Sequence, residues 1–134
     1  MKNSIVLKII LFISGLIAIG IGGTILTMPV AFYATNGINL EGNINLLNEI
    51  RASGGALLAS GILIILGAFI TKLTFTSTVI STLLYLSYGL SRILSIVLDG
   101  MPSEGLVQAV ILELIIGLFC IVAFVKYNLK NNLN

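Results

Sequence analysis

The stretch from residue 73 to residue 98 reads LTFTSTVISTLLYLSYGLSRILSIVL and guides the interpretation of the whole chain. It is long enough to cross a bilayer as a helix, which takes roughly 20 residues. Polar side chains of this stretch and of the residue after it recur at spacings of three and four, at Thr74, Ser77, Ser81, Tyr85, Tyr88, Arg92, Ser95 and Asp99. At about 100° per residue they fall within a stripe about 80° wide. Because such a stripe is unfavourable against lipid, we predict that it faces other helices or a wet cavity.

Three more apolar stretches, at residues 9–28, 45–70 and 104–125, are also long enough to span a bilayer. The chain is 57% hydrophobic and 9% charged, whereas soluble domains are typically about 25% charged. The first stretch is longer than the roughly 7–15 apolar residues of a signal peptide, so we expect it to be a retained helix. The sequence predicts an all-α fold, a bundle of four transmembrane helices in one integral membrane domain covering residues 1–134.

The lysines indicate the orientation of this bundle. With a cytoplasmic N-terminus, all lysines fall on the cytoplasmic side, at Lys2, Lys8, Lys72, Lys126 and Lys130. The outer loops then carry the acidic residues Glu41, Glu49, Asp99 and Glu104 and no lysine. This is the positive-inside bias, and it predicts that both termini are cytoplasmic. The richness in Ile, Asn and Lys favours a bacterium, so we expect the bacterial plasma membrane.

Several function classes have no support in the composition. The chain has no histidine and a single cysteine, Cys120, so the usual metal and haem ligands and a disulfide are missing, and no cofactor is expected. No basic run or stripe supports nucleic-acid binding. The glycines between Gly20 and Gly23 do not match a dinucleotide motif and lie within a predicted span.

Three ionisable residues lie inside the predicted spans: Arg51, Arg92 and Glu113. Arg92 is about 10 Å from the outer end of its helix and Glu113 about 15 Å from the start of its own, given a rise of 1.5 Å per residue. A charge at the membrane centre costs about 2.5–3.5 kcal/mol on insertion scales, which favours mutual pairing. We predict that Arg92 or Arg51 pairs with Glu113, and that the other arginine pairs with Asp99 or Glu49.

Two interpretations of this charged cluster stay open. The ion pairs could merely fix helix register, with Arg51 reaching to the surface as a further possibility. Alternatively, they form a polar site open to the outer side, where two arginines against one carboxylate leave a positive surplus that attracts an anion. The candidate ligand-binding residues are Arg51, Arg92, Glu113, Asp99, Tyr88, Tyr85 and Ser95.

Small residues predict close helix packing. Ser14, Ala18 and Gly22 repeat every four residues on the first helix, and Ala52, Ala56 and Ser60 do so on the second, beside Gly54 and Gly55. In lipid such faces let helix backbones approach closely. They predict packing within the bundle, with a homodimer seam as the alternative. Cys120 is expected to be a small packing residue.

The connections carry turn and capping residues. Pro29 is expected to end the first helix, with Asn36-Gly37 as a turn and Phe32 and Tyr33 as an interfacial aromatic anchor. Asn43 or Asn45 suits the N-cap of the second helix. Ser103 suits the N-cap of the fourth helix.

Several of these segments resemble a known family. They are Pro29-x-x-Phe32-Tyr33, Glu49-Ile-Arg51-Ala-Ser-Gly-Gly55, Gly89-Leu-Ser-Arg92, Asp99-Gly100-x-Pro102-Ser103, and Glu113. The chain resembles, over nearly its whole length, a family of small bacterial four-helix membrane proteins classed only as a domain of unknown function, number 4345. The resemblance implies that Arg51, Arg92, Asp99 and Glu113 share one site, and it implies no activity. A looser likeness to the DoxX-type family rests on helix count alone.

Three functions remain compatible with these patterns. The first is a non-enzymatic binding or accessory module, in contact with membrane lipids, that holds a lipid head group or small anion. The second is a small transporter or exporter subunit acting as a dimer, with Glu113 as the titrating group. The third is an intramembrane enzyme using Glu113 or Asp99 as acid or base.

Overall fold

Long helices make up nearly all of the computed structural model, which describes residues 4–132 and, of the side chains, those of residues 4–127. In chain order the helices are α1 (Ile5–Thr27), α2 (Pro29–Ala34), α3 (Ile44–Phe69), α4 (Thr74–Asp99) and α5 (Glu104–Asn132), with a 3-10 turn at Thr71–Leu73. All but α2 contain a stretch long and apolar enough to cross a membrane. The predicted all-α bundle of four potential transmembrane helices is confirmed. Lys2 and the side chain of Lys130 lie outside the described residues.

The helix ends differ from the sequence prediction in two informative places. Helix α1 ends at Thr27, and Pro29 then starts α2, whereas the sequence predicted only a connection there. A proline lacks the N–H that continues a helix but suits the first position of a new one. Helix α5 continues to Asn132 rather than stopping near residue 125, since no proline or glycine interrupts it.

Helices α1 and α3 form one tightly packed pair. An added Cβ at Gly22 would lie 2.8 Å from the carbonyl oxygen of Gly54, and one at Gly61 would lie 2.7 Å from the backbone nitrogen of Ile19. The predicted small-residue face of α1 is confirmed, because Ser14, Ala18 and Gly22 are all buried. On α3 the prediction of Ala52 and Ala56 is wrong. Both are exposed, and the buried face instead carries Gly54, Leu57, Gly61 and Ile64.

Helices α4 and α5 form the second pair, and they run antiparallel. Gly89 of α4 lies against Leu114 of α5, and Gly117 of α5 lies against Leu86 of α4. These two contacts set the register of the pair, so that Arg92, three positions after Gly89, comes opposite residue 111 of α5. Glu113 lies two residues from that position, within reach of the long Arg92 side chain.

The polar stripe of α4 ties the two pairs together. Its hydroxyls donate to backbone oxygens of α3, from Ser77 Oγ to Leu63 at 2.7 Å and from Thr74 Oγ1 to Gly67 at 2.9 Å. Ser81 Oγ lies 3.1 Å from Ser14 Oγ of α1 and 3.1 Å from Cys120 Sγ of α5. The expectation that the stripe faces other helices is thus confirmed from Thr74 to Ser81. Hydroxyl groups inside an apolar helix bundle need hydrogen-bond partners within the protein, because lipid offers none.

The two ends of the bundle can be told apart by their contacts. Ser4 Oγ, just before α1, donates to the hydroxyl of Tyr127 near the end of α5 at 2.7 Å. The start of α1 and the end of α5 therefore lie at one end, called here the terminal end, together with the turn at Thr71–Leu73. The opposite end, called the loop end, carries α2, the segment at residues 35–43 and the turn at residues 100–103.

Candidate functional site

An ion pair between α4 and α5 lies at the centre of the candidate site. Arg92 Nε donates to both carboxylate oxygens of Glu113, at 3.0 Å to Oε2 and 3.2 Å to Oε1. The side chain of Arg92 is 34% exposed and that of Glu113 is 15% exposed. The predicted pairing of an arginine with Glu113 is therefore confirmed, with Arg92 as the partner. Both oxygens share a single nitrogen, so the outer edge of the guanidinium is not used by this pair.

A cavity of about 280 Å³ lies beside the ion pair. Most of its wall is aliphatic, with Ile17, Ile21 and Ile25 from α1 and Leu106 from α5. The wall also carries side chains with polar groups, namely Tyr33, Asn36, Ser53, Tyr85, Tyr88, Arg92 and Glu113. A largely apolar cavity with a few convergent polar groups is the usual form of a small-molecule site.

Several polar groups on the cavity wall have no hydrogen-bond partner among the described side chains and backbone. They are the two terminal nitrogens of Arg92 and the hydroxyls of Tyr33 and Tyr88. The hydroxyl of Tyr85 differs, since it donates to the backbone oxygen of Ser14. Arg92, Tyr33 and Tyr88 therefore offer donors to a bound molecule, and Glu113 offers acceptor capacity, while Tyr85 is engaged in holding α4 to α1.

Helix α2 and the segment after it close the loop end of the cavity. Phe32 and Tyr33 of α2 both line the cavity and pack edge to face, with ring centroids 5.5 Å apart. The side chain of Asn36 ties this segment to the start of α5, because Ser103 Oγ donates to Asn36 Oδ1 at 3.2 Å. Ser103 does precede α5 as expected for an N-cap, but its hydroxyl bonds across the bundle rather than to its own helix.

Arg51 lies apart from this site. Its guanidinium donates to the backbone oxygen of Leu26 in the last turn of α1, and Arg51 does not line the cavity. The predicted pairing of the second arginine with Asp99 or Glu49 is wrong. The reason is that the last carbonyls of a helix lack partners and form the negative end of its dipole, so a cation is well placed there.

Ser95 and Asp99 also lie away from the cavity. They bond to each other, with Ser95 Oγ donating to Asp99 Oδ2 at 2.9 Å, one turn apart on α4. Both are exposed. Of the seven candidate residues, Tyr85, Tyr88, Arg92 and Glu113 come together at the cavity. Without Arg51, one guanidinium faces one carboxylate, so the expected positive surplus at the site is not found.

Most of this chain matches a family of proteins in sequence. The model of a family described as a domain of unknown function, DUF4345, matches residues 6–124. The chain belongs to this family. No curated protein and no solved structure is found to be similar to it. The match includes Arg92, Glu113 and the segment carrying α2.

Three residues with polar side chains on the cavity wall of this DUF4345 chain are missing from the sequence-based candidates: Tyr33, Asn36 and Ser53. Tyr33 was expected at a membrane interface and Asn36 in a turn, and both expectations rested on local composition. The signal that could have found them is Pro29 followed by five apolar residues, which is enough for a short helix that folds back over the bundle. Ser53 follows Arg51 by two positions and so faces a different side of α3.

A metal ion has no evident place in the described part of this DUF4345 chain. Among residues 4–127, no group of three or more Cys, Asp or Glu side chains is close enough to hold one. Cys120 is fully buried and contacts Ser81. Its environment matches the expected packing role, because a buried thiol with a hydroxyl neighbour behaves as a small core residue.

Proposed function

We propose that this chain is a non-enzymatic binding module that holds the polar head of a membrane-soluble ligand beside Arg92 and Glu113. The observation that carries this proposal is a neutral ion pair on the wall of a mainly apolar cavity of about 280 Å³. The pair leaves the terminal nitrogens of Arg92 without a partner among the described residues. A guanidinium edge of this kind binds carboxylate or phosphate oxygens through two parallel hydrogen bonds.

Binding is better supported than acid–base catalysis. Asp99, one of the two carboxylates considered for such chemistry, is exposed and bonded to Ser95. Both carboxylate oxygens of Glu113 accept hydrogen bonds from Arg92 Nε, so this carboxylate is engaged in an ion pair. The described cavity wall carries no cysteine or serine next to a base, so an activated nucleophile has no support.

The proposed function also requires a membrane and an orientation for the bundle. We place the chain in a bacterial plasma membrane, with the terminal end of the bundle facing the cytoplasm. The support is that the start of α1, the turn at Thr71–Leu73 and the end of α5 share that end, and that they carry Lys8, Lys72 and Lys126. The cavity then opens toward the outer leaflet, and the bundle contacts membrane lipids on its apolar outer faces.

The test is native mass spectrometry of the purified full chain. We expect the wild type to retain one bound small molecule per chain, and Arg92→Ala to lose it. Arg51→Ala is the matched control, because it removes the same charge from another span at a residue outside the cavity. We expect Arg51→Ala to retain the ligand.

Folding must be separated from binding in this experiment. Tyr88→Phe removes one unpartnered hydroxyl from the cavity wall and leaves the ion pair in place. We expect it to weaken retention while the circular dichroism spectrum and the thermal transition stay as in the wild type. Equal retention by the wild type, Arg92→Ala and Tyr88→Phe would refute the proposed site.

A further inference from the structure

A second, almost wholly apolar groove adjoins the cavity on the side toward the terminal end. It lies between α1 and α5 and has a volume of about 320 Å³. Ile17 of α1 and Leu112 of α5 line both the cavity and the groove, so the two spaces adjoin at these side chains. From there the groove runs past Ile13 to Ile9 on one side and past Ile115 to Phe119 on the other.

The dimensions of this groove suit an alkyl chain. From Ile17 to Ile9 it follows eight residues of α1, or about 12 Å at 1.5 Å per residue. Half of a bilayer hydrocarbon core is about 15 Å thick. A transmembrane helix of the same length, about 10–12 Å across, would have a volume on the order of 1,000 Å³. The groove is therefore too small to enclose a partner helix, whereas its length of about 12 Å and its apolar lining suit a single alkyl chain.

The charges at the other end of this path restrict the head group. Arg92 and Glu113 balance each other, so a head group with one net charge would leave the site unbalanced. A head with one anionic and one cationic group complements both partners, with oxygens toward the guanidinium and an ammonium toward the carboxylate. Tyr33 and Tyr88 add hydroxyl donors for the anionic group.

We infer that the ligand is a zwitterionic amphiphile, with a phosphate and an ammonium group beside Arg92 and Glu113 and one alkyl chain in the groove between α1 and α5. This inference rests on the proposed function and specifies its ligand. The side of the groove is open along exposed residues such as Ile13 and Phe119, so the ligand enters from the bilayer rather than from water. Both a zwitterionic bilayer phospholipid and its single-chain lyso form have this chemistry.

The experiment compares three probes on the full chain purified in a nonionic detergent. The probes are lysophosphatidylethanolamine, lysophosphatidic acid, which lacks the ammonium group, and glycerophosphoethanolamine, which lacks the alkyl chain. We expect the first to bind at least tenfold more tightly than either of the others. The mass of the copurified molecule shows whether the natural source is a one-chain or a two-chain lipid. Equal binding of lysophosphatidic acid would overturn the zwitterionic assignment.

A pair of variants tests the groove separately from the head-group site. Ile13→Trp places an indole in the groove, whereas Leu16→Trp adds the same ring on the same helix outside it. Both sites accept a larger side chain, since Ile13 is 50% exposed and Leu16 is 54% exposed. We expect Ile13→Trp to weaken lysophosphatidylethanolamine binding at least tenfold and to leave glycerophosphoethanolamine binding unchanged, with Leu16→Trp like the wild type.

The possible failures of the two proposals are distinct. If Ile13→Trp and Leu16→Trp bind alike while Arg92→Ala loses the ligand, the groove assignment is wrong and the proposed function survives. If the wild type binds none of the probes and retains no ligand, both fall. If Ile13→Trp instead dissociates a dimer of the wild-type chain, a second copy occupies the groove and the inference is overturned.

Discussion

Two tyrosines one turn apart on α4 have different partners and therefore different expected roles. The hydroxyl of Tyr85 donates to the backbone oxygen of Ser14, whereas that of Tyr88 has no partner among the described residues. We expect Tyr85→Phe to lower the free energy of unfolding by about 0.5–1.5 kcal/mol, which is the usual net value of one hydrogen bond. Tyr88→Phe should leave it unchanged. Unfolding by SDS in mixed micelles measures both.

Ligand retention should show the reverse order for the same two variants. Tyr88→Phe removes a donor that the proposed ligand uses, while Tyr85→Phe keeps the cavity wall and loses only a contact between α4 and α1. A loss of retention that follows the loss of stability in both variants would contradict the separate roles.

At this scale the sequence predicts part of the site. An arginine could be paired with Glu113 from the depth of these residues in their spans, because an isolated charge in lipid is unfavourable, but the choice between Arg92 and Arg51 needed the structure. Arg51 could not be placed in the same way. Its partner is the backbone oxygen of Leu26 at the end of α1. Every helix end has such unpaired oxygens, so the amino-acid sequence does not indicate which one an arginine will bind.

The pairing of α1 with α3 depends on glycines at particular positions of the seam. An added Cβ at Gly22 would lie 2.8 Å from the oxygen of Gly54, whereas one at Gly20, two residues earlier, would meet nothing within 4 Å. We expect Gly22→Ala to lower the free energy of unfolding by about 1–3 kcal/mol through overpacking. Gly20→Ala should leave it unchanged or raise it by up to about 1 kcal/mol, because alanine favours the helix.

The same unfolding assay in mixed micelles tests this matched pair of glycines. If Gly22→Ala were as stable as the wild type, α1 and α3 would not be packed backbone to backbone as the structure has them. If Gly20→Ala were equally destabilised, another surface would have to cover the outer face of α1, as the homodimer alternative requires.

Whole elements were predicted well where the pattern was long and poorly where it was short. The four long helices were predicted from apolar runs of about 20 residues, because a run of this length is typical of a transmembrane helix. Helix α2 has only six residues, so no periodicity could reveal it. The buried face of α3 was also missed, since Ala52-x-x-x-Ala56 and Gly54 with Gly61 are both small-residue patterns, and only the position of α1 decides between them.

For the molecule as a whole, the side of the membrane that each end faces is the remaining prediction. Cysteine labelling with a membrane-impermeant maleimide in intact bacterial cells tests it. Met101→Cys marks the loop end, where Met101 is 74% exposed, and Lys72→Cys marks the terminal end. The native Cys120 is a silent background, because its side chain is fully buried.

We expect Met101→Cys to be labelled in intact cells and Lys72→Cys only after the cells are permeabilised. The physical reason is that lysines are retained on the cytoplasmic side during insertion, and Lys8, Lys72 and Lys126 all belong to the terminal end. The reversed labelling pattern would turn the cavity toward the cytoplasm. The ion pair and the groove would be unchanged, but a ligand would then have to come from the inner leaflet, and lipids of that leaflet would be the ones to test.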